Sequence, residues 1–327
     1  MHATHDEPAQ WSSPLHPSEP QHPIPNLAGR VTYDGPASAL RADWVRRSAD
    51  PTISIVMPAR NEARNLEIVL PELPQVDQLV LVDGHSVDGT VAVAKRIRPD
   101  ITLVQQTRNG KGNALACGFA AAKGDIIVTL DADGSANPAE IPAFVEALVS
   151  GADFAKGTRF HRHAGSADLT RLRRVGNAYL RGVANFAFRT RFSDLCYGYN
   201  ALWRDIIPLL QLPPIDNVAT PGNRVQWGDG FEIETLITCR VVTVGLAITE
   251  IPSRERSRIV GETQLRTFSD GARVLRTITT EWRRSMHELK ATREGRRCLP
   301  PGLIGDTTLG EASLCGPETG LEAEGTP

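Results

Sequence analysis

Asp131 and Asp133 are the residues of this sequence with the clearest chemical potential, because they follow directly after the apolar run Ile126–Leu130. In an extended chain, residues i and i+2 point to the same side, so both carboxylates could face one hard cation. Magnesium prefers oxygen ligands and typically takes only one or two carboxylates, with water and substrate phosphates as its other ligands. The pair therefore indicates a site for Mg²⁺ or Mn²⁺ with a diphosphate, and the alternative is a turn with solvated aspartates.

Two further polar clusters follow apolar runs in the same way. Residues 58–62 (PARNE) follow the first run, and residues 83–86 (DGHS) follow the second. The carboxyl ends of parallel strands meet at one edge of a sheet, so we expect both clusters to lie beside the aspartates. Asp83 could accept hydrogen bonds from a base or ribose there, or it could be a turn residue.

Several basic residues could bind phosphate. Residues 108–114 (RNGKGNA) combine Lys111 with two glycines that permit close backbone approach, just before a predicted helix whose start would favour an anion. Their spacing matches neither a P-loop nor G-x-G-x-x-G, which argues against nucleotide hydrolysis and against a dehydrogenase. Arg159 and Arg258 lie in other predicted loops, and their guanidinium groups could bind diphosphate oxygens or could simply be exposed.

Glu232 stands at the start of a predicted apolar helix. A carboxylate at this position could act as a general base. It could equally complement the helix dipole, and the sequence leaves both roles open.

The elements that must position these residues alternate along the chain. Apolar, β-branched runs predict strands at Thr52–Met57, Gln78–Val82, Ile101–Val104 and Ile126–Leu130, and helices are predicted to start near Asn61, Asp88, Gly112 and Pro138. Such alternation predicts an α/β fold, with a mainly parallel sheet covered by helices.

Composition excludes several classes of protein. The formal net charge of −2 over 327 residues gives no general attraction to nucleic acid. Five scattered cysteines argue against a disulfide framework and favour a reducing cytoplasm. No segment approaches the roughly 18 apolar residues of a membrane span.

The chain is predicted to have one central domain, residues 51–265. Residues 1–50 and 293–327 are rich in Pro, Gly or small polar residues and are expected to be a loose arm and a disordered tail. Between them, residues 266–292 are predicted to be an amphipathic basic helix, and the helical pattern itself runs from about Glu262 to Lys290. Its apolar stripe could pack on the core or on another subunit, or could lie on an anionic membrane.

Five segments together resemble glycosyltransferase family 2, and especially its dolichyl- or polyprenyl-phosphate mannose and glucose synthases. They are Ile53–Glu62, Leu79–Thr90, Asn109–Gly118, Gly124–Ser135 and Glu250–Thr263. The resemblance implies the GT-A fold, a divalent metal, Mg²⁺ or Mn²⁺, and an inverting transfer from a nucleotide-diphosphate sugar. The sequence departs from the family where Asp83-Gly84 stands for a frequent Asp-Asp pair and where Ser135 stands for a frequent Gln.

The resemblance also implies roles for individual residues. Nucleotide contacts are expected from Pro58, Ala59, Asn61, Glu62, Asp83, Lys111 and Asp131. The metal would be held by Asp131 and Asp133, and phosphate by Arg159, Arg258 and Thr263. Together with the base candidate Glu232, we expect Asp133 and Arg258 to act in catalysis.

The sequence therefore predicts hexose transfer from GDP-mannose or a UDP-hexose, most directly to a polyprenyl phosphate. One alternative is a soluble glycosyltransferase that acts on a hydroxyl of a small metabolite. Another is a non-catalytic protein that binds nucleotide sugars or is recruited to membranes. We expect a cytoplasmic protein, with peripheral contact to the inner face of a membrane and homo-oligomer formation both left open.

Overall fold

A computed structural model of the chain describes residues 30–31, 47–161, 164–166, 170–216, 226–261 and 267–293. Tertiary contacts divide the chain into a compact unit Met1–Met286 and a second unit His287–Pro327. The first unit contains the sheet and all the candidate site residues that the structure describes. Of the second unit, the structure describes only the end of the last helix.

The first unit is built on an eight-stranded sheet with the order β1-β9-β6-β8-β5-β2-β3-β4, beside a two-stranded sheet of β10 and β7. In chain order the strands are β1 (Arg30–Val31), β2 (Ile53–Ala59), β3 (Gln78–Asp83), β4 (Thr102–Gln105), β5 (Ile126–Thr129), β6 (Phe154–Thr158), β7 (Gly165–Ser166), β8 (Asn200–Trp203), β9 (Ile248–Pro252) and β10 (Arg254–Glu255). Within the large sheet, β8 runs antiparallel to β5 and β6, and β1 runs antiparallel to β9, while the other pairs are parallel. The sheet is therefore mixed and mainly parallel, as predicted.

Seven α-helices flank the sheet in the described part of the chain: α1 (Ala63–Glu72), α2 (Thr90–Ile97), α3 (Lys111–Ala121), α4 (Ile141–Val149), α5 (Arg171–Phe188), α6 (Ile233–Val244) and α7 (Thr267–Arg293). Short 3₁₀ helices cover Pro138–Glu140 and Arg204–Leu210. None of the described helices is both long and apolar enough to cross a membrane.

The strand registers bring the polar clusters together. Ala59 at the end of β2 lies opposite Asp83 at the end of β3, and Asp83 lies opposite Gln105 at the end of β4. The central strands are continuous buried apolar runs, which is what a parallel sheet covered on both faces requires. The four predicted strands are confirmed, although β2 extends two residues further, so that Pro58 and Ala59 belong to the strand.

The expected loose arm is partly wrong. Arg30 and Val31 pair with Thr249 and Ile248 as an edge strand, which satisfies backbone groups that β9 would otherwise expose. Arg47 also makes an ion pair with the buried Asp153 at 2.7 Å. The rest of residues 1–46 and the tail beyond Arg293 lie outside the described residues. Thr263, a predicted phosphate contact, lies outside them as well.

Helix α7 buries a different face from the apolar stripe that the sequence suggested. Trp282 and Met286 belong to that stripe, and they are 40% and 41% exposed. The buried face instead contains Val274, Ile278 and Glu281, whose carboxylate is paired with Arg240 of α6 at 3.1 Å. Core packing through the predicted stripe is therefore wrong, because a buried ion pair fixes a different side of the helix against the core.

Candidate active site

The three polar clusters meet at the carboxyl edge of the sheet. The Asn61 amide donates to Ser86 Oγ and Asn61 Oδ1 accepts from the Val87 amide, both at 2.9 Å, which joins the first cluster to the second. Arg258 joins the first cluster to the third, since it lies 3.3 Å from Glu62 Oε1 and 3.1 Å from Asp133 Oδ2. The expected convergence is confirmed.

Asp131 and Asp133 follow β5 in a turn. The strand ends at Thr129, so the argument from an extended chain is wrong for this pair. Asp133 Oδ1 accepts the Ser135 amide at 2.9 Å, and Gly134 between them has a φ of +77°, a conformation that favours glycine. A Cβ at Gly134 would overlap the Ile259 side chain, so this turn is also closely packed.

Lys111 holds the first aspartate of the pair. Its Nζ lies 2.8 Å from Asp131 Oδ1 and 3.1 Å from Glu234 Oε1. Burial by itself would lower the pKa of Lys111, but Asp131 and Glu234 outweigh that effect and hold the pKa above its ordinary value. Lys111 is therefore a charged ammonium beside the candidate metal and diphosphate site.

Glu62 is a buried carboxylate close to both aspartates. Burial raises its pKa above the ordinary value. The negative charges of Asp133 and Asp131 act in the same direction, while a hydrogen bond from Asn65 and the charge of Arg258 oppose them. Glu62 is therefore easier to protonate than a free glutamate, and its ionised form is favoured by Asn65 and then by Arg258.

The loop that carries Arg258 is fixed to the aspartate turn by main-chain bonds. The Ile259 amide donates to the Asp133 carbonyl at 3.2 Å, and the Arg256 amide donates to the Ser135 carbonyl at 2.7 Å. The position of Arg258 is thus set by its backbone as well as by its ion pairs.

Arg159 follows β6 at the same edge, but its guanidinium is already engaged. It lies 2.7 Å from Asp194 Oδ2 and 3.2 Å from Glu255 Oε1, and it stacks on the Tyr197 ring at 4.8 Å. Burial opposes the ionised form of Asp194, yet the charge and hydrogen bonds of Arg159 outweigh burial and lower the pKa of Asp194. Sequence reasoning missed Asp194, because nothing in the run FSDLCYGYN marks it as the partner of an arginine 35 residues earlier.

The glycines around Lys111 serve a different purpose from the one expected. A Cβ at Gly110 or Gly112 would overlap the main chain of Gly228 and Asp229, and the Gly112 amide donates to the Asp229 carbonyl at 2.7 Å. Their close approach is therefore to another loop of the protein. Arg108 locks this contact through a fully buried ion pair with Asp229 at 2.8 Å.

Glu232 and Glu234 differ in their surroundings. Glu232 is buried, its Oε1 accepts the Gly230 amide at 3.3 Å, and its Oε2 finds no donor among the described residues. Glu234 instead pairs with Lys111 and accepts from Asn200 Nδ2 at 3.1 Å. The structure thus connects Glu234 to Asp131, a link for which the sequence offered no spacing signal.

Asp83 is buried and accepts the Ser86 amide at 3.2 Å through Oδ2. It therefore shapes the turn after β3. Its place beside Ala59 also leaves it at the edge where a nucleoside is expected.

The donor set around the turn fits a hard divalent cation. Asp131 and Asp133 supply carboxylate oxygens, their side chains are 36% and 16% exposed, and each is neutralised by a cationic side chain. Within the described residues, no group of three or more His, Cys, Asp or Glu could hold a metal. Such a cation would therefore take the remaining ligands from water and a diphosphate, as magnesium sites commonly do.

Residues 54–208 match the family model described as Glycosyl transferase family 2. Residues 54–208 are a glycosyltransferase family 2 domain. The chain is 28% identical to the polyprenol monophosphomannose synthase of Mycolicibacterium smegmatis, over 64% of this chain and 80% of that protein. It is 25% identical to a dolichyl-phosphate hexose transferase of Haloferax volcanii, over 69% of this chain and 92% of that protein.

Solved structures of glycosyltransferases share the fold of this domain. Glucosyl-3-phosphoglycerate synthase from Mycobacterium tuberculosis, crystallised with Mn²⁺, UDP and glucosyl-3-phosphoglycerate, superposes with a TM-score of 0.52 and 24% identity. The match covers 73% of this chain and 86% of that one. The domain described above therefore has the expected GT-A fold, and its match to the family model makes it a glycosyltransferase domain.

Proposed function

We propose that this glycosyltransferase is an inverting, metal-dependent enzyme that moves a hexose from a nucleotide-diphosphate sugar to a polyprenyl phosphate. The observation that carries the proposal is the pairing of Lys111 with Asp131 and of Arg258 with Asp133 at one edge of the sheet. Two carboxylates and two cations at one place suit the metal, the diphosphate and the charge that develops between them.

The donor half of the reaction follows from these four residues. Asp131 and Asp133 would hold Mg²⁺ or Mn²⁺, which when bound neutralises charge on the departing nucleoside diphosphate. Lys111 and Arg258 lie against the same carboxylates and would donate to the diphosphate oxygens. Pro58, Ala59, Asn61, Glu62 and Asp83, around the ends of β2 and β3, are proposed to contact the nucleoside.

The acceptor half rests on the relatives, whose names specify polyprenol monophosphomannose and dolichyl-phosphate hexose products. A phosphate acceptor is already anionic near neutral pH, so its attack on the sugar needs no strong protein base. Arg159 stands at this edge and would assist a phosphate only if its pairs with Asp194 and Glu255 were exchanged. Under this proposal Glu232 is not essential.

A donor panel tests the proposal. Thermal unfolding of the chain would be followed with GDP-mannose, UDP-glucose and UDP-N-acetylglucosamine, each with and without Mn²⁺, because a ligand that binds the folded state raises the apparent Tm. Transfer of labelled hexose from the stabilising donor to a short-chain polyprenyl phosphate would then be measured. If the donor binds but is neither transferred nor hydrolysed, the non-catalytic alternative is favoured.

The second candidate function is transfer to a hydroxyl of a small metabolite. The fold neighbour whose structure holds glucosyl-3-phosphoglycerate favours it. A hydroxyl acceptor needs a base, and the buried Oε2 of Glu232 is a carboxylate oxygen that finds no donor among the described residues.

Glu232→Gln separates the two functions. With a polyprenyl phosphate we expect the rate of transfer to change less than about threefold, whereas loss of a general base typically costs on the order of 10²–10⁴-fold. A large loss with the lipid phosphate would contradict the proposed acceptor chemistry. Glu67→Gln, an exposed carboxylate on α1, serves as the control.

A further inference from the structure

Helix α5 carries an apolar stripe on its solvent side. Its members are Leu172, Val175, Tyr179 and Phe186, which are 54%, 68%, 63% and 88% exposed. Spacings of three, four and seven residues place them on one face of the helix. Ten large hydrophobic side chains are exposed among the described residues, and four of them lie in this stripe. Such a row marks an interaction surface, whereas a single exposed apolar residue does not.

The opposite face of α5 is the one that anchors it. Asn177, Ala184 and Phe188 are buried there, and Arg181 donates to the Ser193 carbonyl at 3.0 Å. The stripe is therefore not needed to hold α5 on the domain. Its exposure must be explained by something outside the described residues.

The charge of this segment identifies the kind of surface that fits the stripe. Residues 171–191 contain six arginines and no acidic residue, although the whole chain has a formal net charge of −2. Arg174 and Arg189 are exposed, and Arg189 lies beside the stripe. A second copy of α5 would bring arginines against arginines, which repel. An anionic lipid surface accepts both the apolar side chains and the guanidinium groups.

We propose that α5 docks the protein on an anionic bilayer through the stripe Leu172–Phe186, with its exposed arginines among the lipid headgroups. This assigns membrane contact to α5, whereas the amphipathic pattern in the sequence pointed to α7. In α7 the exposed apolar side chains Trp282 and Met286 are fewer and only about 40% exposed.

Docking through α5 would bring the bilayer close to the active site. Asn177 on the buried face donates to Asp194 at 3.4 Å, and Asp194 holds Arg159. A helix is about 10–12 Å across, so Arg159 lies roughly one helix diameter from the stripe. A helix in the interface sinks about 5–10 Å into the boundary between headgroups and acyl chains, which leaves Arg159 near the level of lipid phosphates. This consequence for the acceptor rests on the proposed function, whereas the docking itself does not.

Vesicle sedimentation of the full chain tests the docking. Vesicles of phosphatidylcholine alone would be compared with vesicles of equal parts phosphatidylcholine and phosphatidylglycerol. We expect the wild type to bind only the anionic vesicles, and Val175→Gln with Phe186→Gln to weaken that binding by about tenfold or more, because two apolar side chains no longer enter the interface. Arg174→Gln should weaken binding at low salt and make binding less sensitive to added salt, because one electrostatic contact is lost. Trp282→Gln on α7 is the matched control and should bind as the wild type does.

The outcomes are distinguishable. Absence of binding to anionic vesicles, unchanged binding of the α5 double variant, or a loss confined to Trp282→Gln would each overturn the proposal. The proposal would also be overturned if the wild type were a dimer and the α5 double variant a monomer, since the stripe would then be covered by a second copy. Transfer to a soluble short-chain polyprenyl phosphate, measured in parallel, reports on the proposed function alone. Its failure with vesicle binding intact would refute that function and leave the docking standing.

Discussion

Each of three site cations lies between two carboxylates. Lys111 pairs with Asp131 and Glu234, Arg159 with Asp194 and Glu255, and Arg258 with Glu62 and Asp133. Acids therefore outnumber these cations two to one, and the site has a negative surplus that suits a divalent cation better than a free anion. Phosphate would be bound only together with that cation.

Replacing Asp133 tests this electrostatic arrangement. Asp133→Asn removes one carboxylate from the candidate metal site and leaves Arg258 with Glu62. We expect the rate of transfer to fall by about 10²–10³-fold, as when a group that stabilises developing charge is lost. Steady-state rates at increasing Mn²⁺ would check this, with Glu67→Gln as control. A rate equal to that of the wild type at limiting Mn²⁺ would exclude the metal role.

The buried pair of Asp194 with Arg159 makes a prediction about stability and pH. Asp194→Asn leaves a buried guanidinium with one carboxylate fewer, and we expect it to lower the free energy of unfolding at pH 7 by about 3–5 kcal/mol. The folded state lowers the pKa of Asp194 from its ordinary value of 3.8. The stabilisation is thus present above pH 3.8 and is lost as the pH falls through the lower folded pKa.

Urea unfolding at several pH values measures this difference. Wild type and Asp194→Asn should differ equally at pH 7 and pH 5, and the gap should close in stronger acid, below about pH 4. Arg96→Gln, which breaks an exposed pair with Glu67, should cost less than about 1 kcal/mol at any pH. A gap that widened in acid would show that Asp194 is not an ionised partner of Arg159.

Among the elements, the start of α3 and the loop before α6 form one packed unit. Gly112→Ala would drive a methyl group into the Gly228 carbonyl, and backbone there cannot yield as a flexible side chain can. We expect a loss of about 1–3 kcal/mol in the free energy of unfolding, with weaker donor binding through the shift of Lys111. Gly176→Ala in α5 meets nothing within 4 Å and should be neutral or should stabilise by about 0.4–1 kcal/mol, so the pair of variants separates packing from helix propensity. Equal Tm values for the two would refute the contact.

The elements that were predicted well from the sequence are those whose apolar residues form one continuous run. Buried parallel strands such as β3 and β5 read as unbroken apolar stretches, so both their positions and the polar residues after them could be inferred. The pairing of Arg108 with Asp229 could not, because it joins residues 121 apart through the tertiary fold. The buried face of α7 was also misjudged, since the ion pair of Glu281 with Arg240 outweighs the apolar spacing.

At the scale of the whole domain, the strand order explains how distant segments share one site. The antiparallel β8 lies between β5 and β6, so Asp133 after β5 and Arg159 after β6 are at the same edge although β8 follows both in the chain. Periodicity along the sequence carries no information on such an insertion. The candidate donor site was therefore predictable from local runs, whereas its partners Asp194 and Glu234 were not.

The amides of Arg256 and Ile259 donate main-chain hydrogen bonds to the turn at Asp133–Ser135. These bonds protect two amides of a surface loop from exchange with solvent, as pairing in a β-sheet would. In deuterated water these two amide protons should exchange far more slowly than other loop amides, because exchange requires the loop to detach from the turn. Deuterium uptake by a peptide covering residues 254–261 would measure that opening, and a nucleotide-diphosphate sugar with Mn²⁺ should slow it further. Uptake as fast as in a free peptide would mean that Arg258 is not held at the aspartates. The loop would thus report occupancy of the donor site without any measurement of turnover.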